Sequence, residues 1–170
     1  MKYTRQITCC FTGHRPQKLP WGCDENDRRC IELKHLLSDL LASLYESGYR
    51  RYLCGMAAGT DLYCGEAVVA LRDEHPDVFL EAAVPFDGQE RRWSRELRAR
   101  YARLASECDA VTILRESYAP GCMMARNRYM VDRSSLLVAV YDGRPGGTKN
   151  TMEYAYSQGL RILHLPTDMS

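Results

Sequence analysis

Three turns in this sequence place glycines beside hydroxyl, amide or charged side chains in a pattern that could hold an anion. In Phe11-Thr12-Gly13-His14-Arg15-Pro16, Gly13 lets the backbone approach a ligand closely. Arg15 carries the planar fork that matches phosphate. His14 reads either as a ligand contact or as a loop histidine with a local hydrogen bond. In Gly55-Met56-Ala57-Ala58-Gly59-Thr60-Asp61, small residues leave N–H groups free at a helix start, where the helix dipole favours an anion. Thr60 or Asp61 could cap that helix, and Asp61 could instead accept a ribose hydroxyl, as acidic residues do in dinucleotide folds. The spacing is neither GxGxxG nor a Walker A loop. The third turn, Asp142 to Thr151, packs Gly146, Gly147, Thr148 and Thr151 ahead of a helix. Its consecutive N–H groups and hydroxyls suit a phosphate cradle. Glu153 reads either as a catalytic or ribose-binding carboxylate or as the partner of Asn150 in a capping box.

Other candidates are fewer. Arg126 and Arg128 lie on a helix where either could meet an anion, although Arg128 and Asp132 are four apart and could simply pair at the surface. Arg91, Arg92, Arg95, Arg98, Arg100 and Arg103 crowd one segment whose apolar stripe is intact, so they coat a solvated face or line a nucleic-acid groove. Nucleophile signatures such as GxSxG and HExxH are missing. The eight cysteines contain no CxxC pair, which leaves no metal site and makes buried reduced thiols, Cys54 included, the expectation.

These residues need elements to position them, and strand and helix patterns alternate from end to end. Strands are expected over Ile7–Phe11, Tyr52–Gly55, Val78–Val84, Ala110–Leu114, Leu136–Tyr141 and Ile162–Leu165. A helix capped by Asp24 runs to Gly48 with leucines at helical spacing. Others run from Thr60 or Asp61 to about Arg72, Gln89 to Glu107, Met123 to Asp132 and Thr151 to Gln158. The third of these carries Trp93, Leu97, Tyr101 and Leu104 on one stripe. Such alternation implies βαβ units. The expected fold is α/β: a single Rossmann-like domain over residues 1–170, doubly wound, with a mostly parallel sheet of about six strands and helices on both faces. Ligands in such sheets bind beyond the carboxyl ends of the strands, where the strand order reverses.

Composition narrows the class. The 170 residues are 45% hydrophobic and 26% charged, with 23 positive against 22 negative groups. That balance argues against a polyanion-coating protein, whose partners are drawn by a large positive excess. No apolar run approaches the roughly 20 residues of a membrane span, and the start MKYTRQITCCFTG is too polar for a secretory signal. A cytoplasmic protein is expected.

Taken in order, FTGHRP, CGMAAGTD, RNRYMVD and YDGRPGGTKNT resemble the YpsA branch of the SLOG superfamily, which gathers Smf/DprA-type DNA-processing proteins and LOG-type nucleotide phosphoribohydrolases. The resemblance covers nearly the whole chain. It implies a Rossmann-like fold with a nucleotide or nucleotide-derived ligand over the glycine-rich turns, and carries binding roles to Gly13, Arg15, Gly55, Gly59, Asp61, Gly146, Gly147 and Thr148. For the YpsA branch it implies a sensor or regulator. LOG enzymes carry GGGxxGxM and PGGxGTxxE, where this chain has CGMAAGTD and PGGTKNTME; the carboxylate is displaced relative to the threonine.

The leading expectation is a module that binds a nucleotide-like small molecule, with Arg15 and backbone amides on the phosphates and Asp61 on the ribose. No other cofactor is expected, and a homo-oligomer is compatible. Two alternatives stand beside it. One is a hydrolase of a nucleotide N-glycosidic bond with Glu153 or Asp61 as the carboxylate. The other is a single-stranded nucleic-acid binder using the arginine-rich helix.

Overall fold

Six strands form one sheet in the order β4-β3-β2-β1-β5-β6, every neighbouring pair parallel. They are β1 Thr8–Gly13, β2 Arg51–Cys54, β3 Phe79–Val84, β4 Ala110–Ile113, β5 Leu136–Val140 and β6 Arg161–Leu165; between them run α1 Arg28–Glu46, α2 Thr60–Glu74, α3 Arg95–Glu107, α4 Cys122–Asp132 and α5 Gly147–Ser157. The computed structural model describes residues 4–167. The expected Rossmann-like α/β architecture is thus present, with a sheet that is parallel throughout. Among the described residues no helix is long and apolar enough to cross a membrane.

Parallel strands need covered faces, and β1 and β5 show how the sequence supplies them. Successive side chains of a strand point to opposite faces. Cys9 and Phe11 of β1, with Leu136, Val138 and Val140 of β5, join a core with Leu33 of α1, Leu62 of α2 and Leu104 of α3. Cys10, Leu137 and Ala139 point the other way, into a second core with Met130 and Val131 of α4 and Ala155 of α5. Burying each leucine- or phenylalanine-sized side chain contributes about 1.5–3 kcal/mol. The chain steps outward from β1 to β4, returns through α4 and resumes at β5 on the other side of β1. The order therefore reverses between β1 and β5.

Several helix starts differ from the sequence expectation, and each has a local cause. Asp27, not Asp24, caps α1 by accepting from the Arg29 N–H at 2.8 Å, while Asp24 closes a turn with Asn26. Neither Thr60 nor Asp61 caps α2. Gly59 holds that position at φ 87°, because the Thr60 hydroxyl is drawn to the His14 carbonyl and Asp61 reaches back to the Ala57 N–H. Residues 89–93 form turns, and α3 starts only where Ser94 accepts from the Leu97 N–H. Most consequentially, α5 begins at Gly147, four residues early, so Asn150 and Glu153 lie inside it and form no capping box.

The long connection from β1 to α1 is tied over the sheet edge. Leu19 and Trp21 are buried, and the Trp21 indole N–H donates to the Tyr63 hydroxyl at 3.1 Å. Arg100 of α3, the exception to the solvated row of arginines, bridges Glu25 of this connection and Glu66 of α2, while Lys34 also reaches Glu25 at 2.6 Å.

Gly13 sets how closely α2 approaches β1. A Cβ there would lie 2.6 Å from Thr60 Cβ and 2.8 Å from its Oγ1, and would overlap Cγ2. Thr60 is fully buried and stiff at χ1. Gly13→Ala should therefore cost about 1–3 kcal/mol, read as a lower urea midpoint. Adding Thr60→Ser, which removes the overlapping methyl, should recover part of that loss.

Candidate functional site

The reversal between β1 and β5 places three chain segments around one cavity of about 430 Å³. Gly13, His14 and Arg15 enter it from the end of β1, Asp61 from the first turn of α2, and Gly147 and Thr148 from the start of α5. Arg126 and Asn127 come from α4, and Lys18 from the β1–α1 connection. Seven of the residues singled out in the sequence thus share this space: Gly13, His14, Arg15, Asp61, Arg126, Gly147 and Thr148. Among the described residues no side chain caps the N-terminus of α5, and the first N–H groups of any helix lack intrahelical acceptors. The positive end of the α5 dipole opens toward the cavity.

The remaining candidates divide into supports and outsiders. The Gly55 carbonyl receives Arg126, and a Cβ on Gly55 would sit 2.7 Å from the Arg126 Nη1 and 2.8 Å from Asp61 Oδ2. Gly59 lies under the His14 carbonyl, where a Cβ would come to 2.9 Å. Thr60 donates its hydroxyl to that carbonyl at 2.9 Å. Gly146, in a conformation side chains rarely adopt, leaves the space where the Lys18 ammonium sits. Thr151 donates to the Gly147 carbonyl at 2.8 Å and accepts from Asn127 Nδ2 at 2.9 Å, which locks α5 to α4. Arg128 and Glu153 are outside. Arg128 is exposed over the Tyr154 ring, and Tyr154, not Arg128, takes up Asp132. Glu153 is exposed beside Lys149 at 3.9 Å, since starting α5 at Gly147 turns it to the solvent face.

Two charged clusters shape the cavity. Arg126, 3% exposed, spends its donors on the carbonyls of Gly55 and Ala83 and on Asn127 Oδ1 at 2.8 Å. Burial pulls its pKa down, opposed by the neighbouring Asp61. Asp61 is buried too; burial raises its pKa, with Arg126 and the Ala57 N–H opposing. Arg126 is thus as much a brace for the β2–α2 turn as a cation facing a ligand. In the second cluster His14 Nε2 lies 2.8 Å from Asp142 Oδ1, while Arg144 gives Asp142 its N–H at 3.0 Å and its Nε at 2.5 Å. An ionised carboxylate only accepts, so His14 carries its proton on Nε2. Burial alone would push the Asp142 pKa up, but the Arg144 N–H, His14 and the Arg144 side chain hold it down at about 2.

Lys18, Gln17, Ala57 and Met123 also line the cavity and were not evident from the sequence. Lys18 reaches the Pro145 carbonyl at 3.2 Å, and Arg144 returns a bond to the Lys18 carbonyl at 2.6 Å. The one available signal was the pair Pro16 and Pro20, which marks a stiff connection able to fold back over the strand ends. Its path depends on Trp21 finding Tyr63, a contact 42 residues away.

Fold and site together define a Rossmann-like protein of the SLOG type with a polar cavity at its switch point. The profile of the YspA SLOG family matches residues 9–161, and the chain belongs to that family. It is similar to the SPbeta prophage-derived protein YoqJ of Bacillus subtilis (strain 168), 32% identical over 139 residues, which covers 74% of this chain and 81% of that one. A UPF0398 protein of Bacillus cereus (strain B4264) is 31% identical over 152 residues, covering 87% and 82%. Among solved structures, DNA processing protein A (DprA) from Streptococcus pneumoniae superposes with a TM-score of 0.64 at 16% identity, covering 95% of this chain and 51% of that one. DNA processing protein A from Helicobacter pylori, described by its single-stranded DNA binding mode, gives 0.63 at 14% identity, covering 96% and 67%. At such identities these two show a shared fold.

Removing Arg126 would leave the Ala83 carbonyl without its donor and Asp61 uncompensated. Arg126→Ala is expected to cost about 3–5 kcal/mol, measured by urea unfolding. The Asp142 cluster has a signature in acid. Its folded pKa lies below the usual carboxylate value, so its stabilisation is present above about pH 4 and is lost as pH falls toward 2. Unfolding free energies measured between pH 2 and 5 should fall less steeply for Asp142→Asn than for the parent protein.

Proposed function

We propose that this protein binds a nucleotide or nucleotide-derived phosphorylated ligand in the switch-point cavity and acts as a sensor or regulator. One observation carries the reading: an uncapped helix N-terminus, three cationic side chains (Arg15, Lys18 and Arg126) and a buried carboxylate converge on a single cavity. The phosphate sits at Gly147 and Thr148 with Lys18 and Arg15 as its cationic partners, since amides at a helix start and ammonium or guanidinium groups are what recognise phosphate. Asp61 accepts a sugar hydroxyl. The hydrolase alternative would have to rest on Asp61, because Glu153 is exposed outside the cavity.

A second reading has its own support. Arg91, Arg92, Arg95, Arg98 and Arg103 are exposed in one segment, and a structural neighbour is described by its single-stranded DNA binding. On this reading the arginine row tracks a phosphodiester backbone.

The two readings separate in one set of measurements. A ligand that binds only the folded protein stabilises it by RT ln(1 + [L]/Kd), about 2.7 kcal/mol at a hundredfold excess over Kd. Nucleoside monophosphates should raise the Tm, be recovered intact, and lose most of their effect on Lys18→Ala. Release of free base would establish the hydrolase instead. Oligonucleotide affinity that falls steeply with salt and with Arg95→Ala or Arg98→Ala would establish the nucleic-acid reading.

A further inference from the structure

A second cavity of about 440 Å³ adjoins the first, and Arg15, Gln17, Ala57 and Met123 line both. Each volume alone falls within the range of small-molecule sites, roughly 300–1,000 Å³. Their walls differ in kind. The first holds Asp61, Arg126, Lys18 and the start of α5, whereas the second adds Trp93, Leu97 and Arg92 to the shared Met123. Trp93 is half-buried, its indole braced edge-on by Tyr101 at 5.6 Å between ring centroids and 87° between planes. The floor is held as well. Gln89, buried, donates its amide to the carbonyls of Gly55 and Met56 at 3.2 and 3.3 Å, and Met56 is a non-glycine residue at φ 61°. Such a backbone conformation persists only where its surroundings enforce it. The turn between the chambers is therefore held from both sides, by Gln89 and by Arg126.

We propose that this second chamber is a base subsite, in which the flat heterocycle of the nucleotide stacks on Trp93 while its phosphate lies at α5. The proposal rests on the nucleotide reading above and adds to it the class of ligand: one with a ring as well as a phosphate, and a purine in preference to a pyrimidine. An indole face and a thioether are the side chains that accept a flat ring. Because every base has such a face, stacking discriminates by area. The amide nitrogen of Gln89 is already committed to two backbone carbonyls, so it offers a base edge no donor, and the purine preference rests on stacking area.

The experiment compares adenosine monophosphate, uridine monophosphate and ribose 5-phosphate on the full chain by calorimetric titration and tryptophan emission. The adenine nucleotide should bind tighter than the uracil nucleotide and than the sugar phosphate, and should quench emission where ribose 5-phosphate does not. Trp93→Ala should weaken the adenine nucleotide by roughly 5- to 160-fold, the usual range for one lost stack, and leave ribose 5-phosphate unchanged. Trp93→Phe should restore most of the loss, which a merely unfolded variant would not allow. If ribose 5-phosphate binds while the adenine nucleotide gains nothing over it, or keeps its advantage on Trp93→Ala, the base subsite is refuted and the phosphate site stands. If neither ligand binds, the nucleotide reading itself fails and this inference fails with it.

Discussion

The carbonyl of His14 is where the architecture closes on itself. It is the first peptide oxygen past β1, and it receives both the backbone N–H of Thr60 at 3.3 Å and the Thr60 hydroxyl at 2.9 Å. For these bonds to form, α2 must start almost in contact with the strand end. That requirement removes any side chain from position 13 and from position 59 on the facing turn. Once Thr60 is fixed, the next residue is fixed as well. Asp61 turns back to Ala57 and stands beside Arg126, and Arg126 in turn spans from α4 to the β2–α2 turn. One shared acceptor thus links the end of β1 to two helices on opposite faces of the sheet.

A second linkage runs across the point of reversal. Asp142 follows β5 and is held by His14 from the β1 side, while Arg144 and Lys18 exchange bonds between the two connections. The start of α5 is therefore positioned by residues of the β1–α1 connection as well as by its own helix. Removing an ion from water is unfavourable unless it is well paired and hydrogen-bonded. The half-buried Asp142 meets that condition through three donors. Such an arrangement ties the turn after β5 to the β1–α1 connection at several points.

Much of this was legible in the sequence, for reasons that can be named. Short apolar, β-favouring runs and period-3.6 patterning located all six strands and five helices, because fully buried strands such as Leu136–Val140 are continuous apolar runs. Glycines 13, 55, 59 and 146 marked the turns because a β-carbon at 13, 55 or 59 would meet Thr60, Arg126 or the His14 carbonyl, and positions 59 and 146 hold positive φ. What did not show was anything decided by distant contacts. The early start of α5 inverted the orientation of Glu153, and Gly146-Gly147 reads as loop until the helix is seen to begin on a glycine. Lys18 and Trp93 enter the cavities through connections whose course depends on Trp21 and Tyr63, on Arg100 with its two glutamates, and on Ser94 as a late helix cap. No periodicity encodes such encounters.

The thiols carry a practical consequence. Six of the eight cysteines are buried and Cys108 half so. Burial pushes Cys10 to about 12 and Cys108 to about 11, with Cys9, Cys54 and Cys64 also well above the ordinary value. Thiolate is the reactive form, so these groups are protected from alkylation and oxidant alike. Cys23 alone is exposed, and it stands at the rim of the chamber that contains Trp93. A maleimide dye would thus react first at Cys23, on the rim of that chamber.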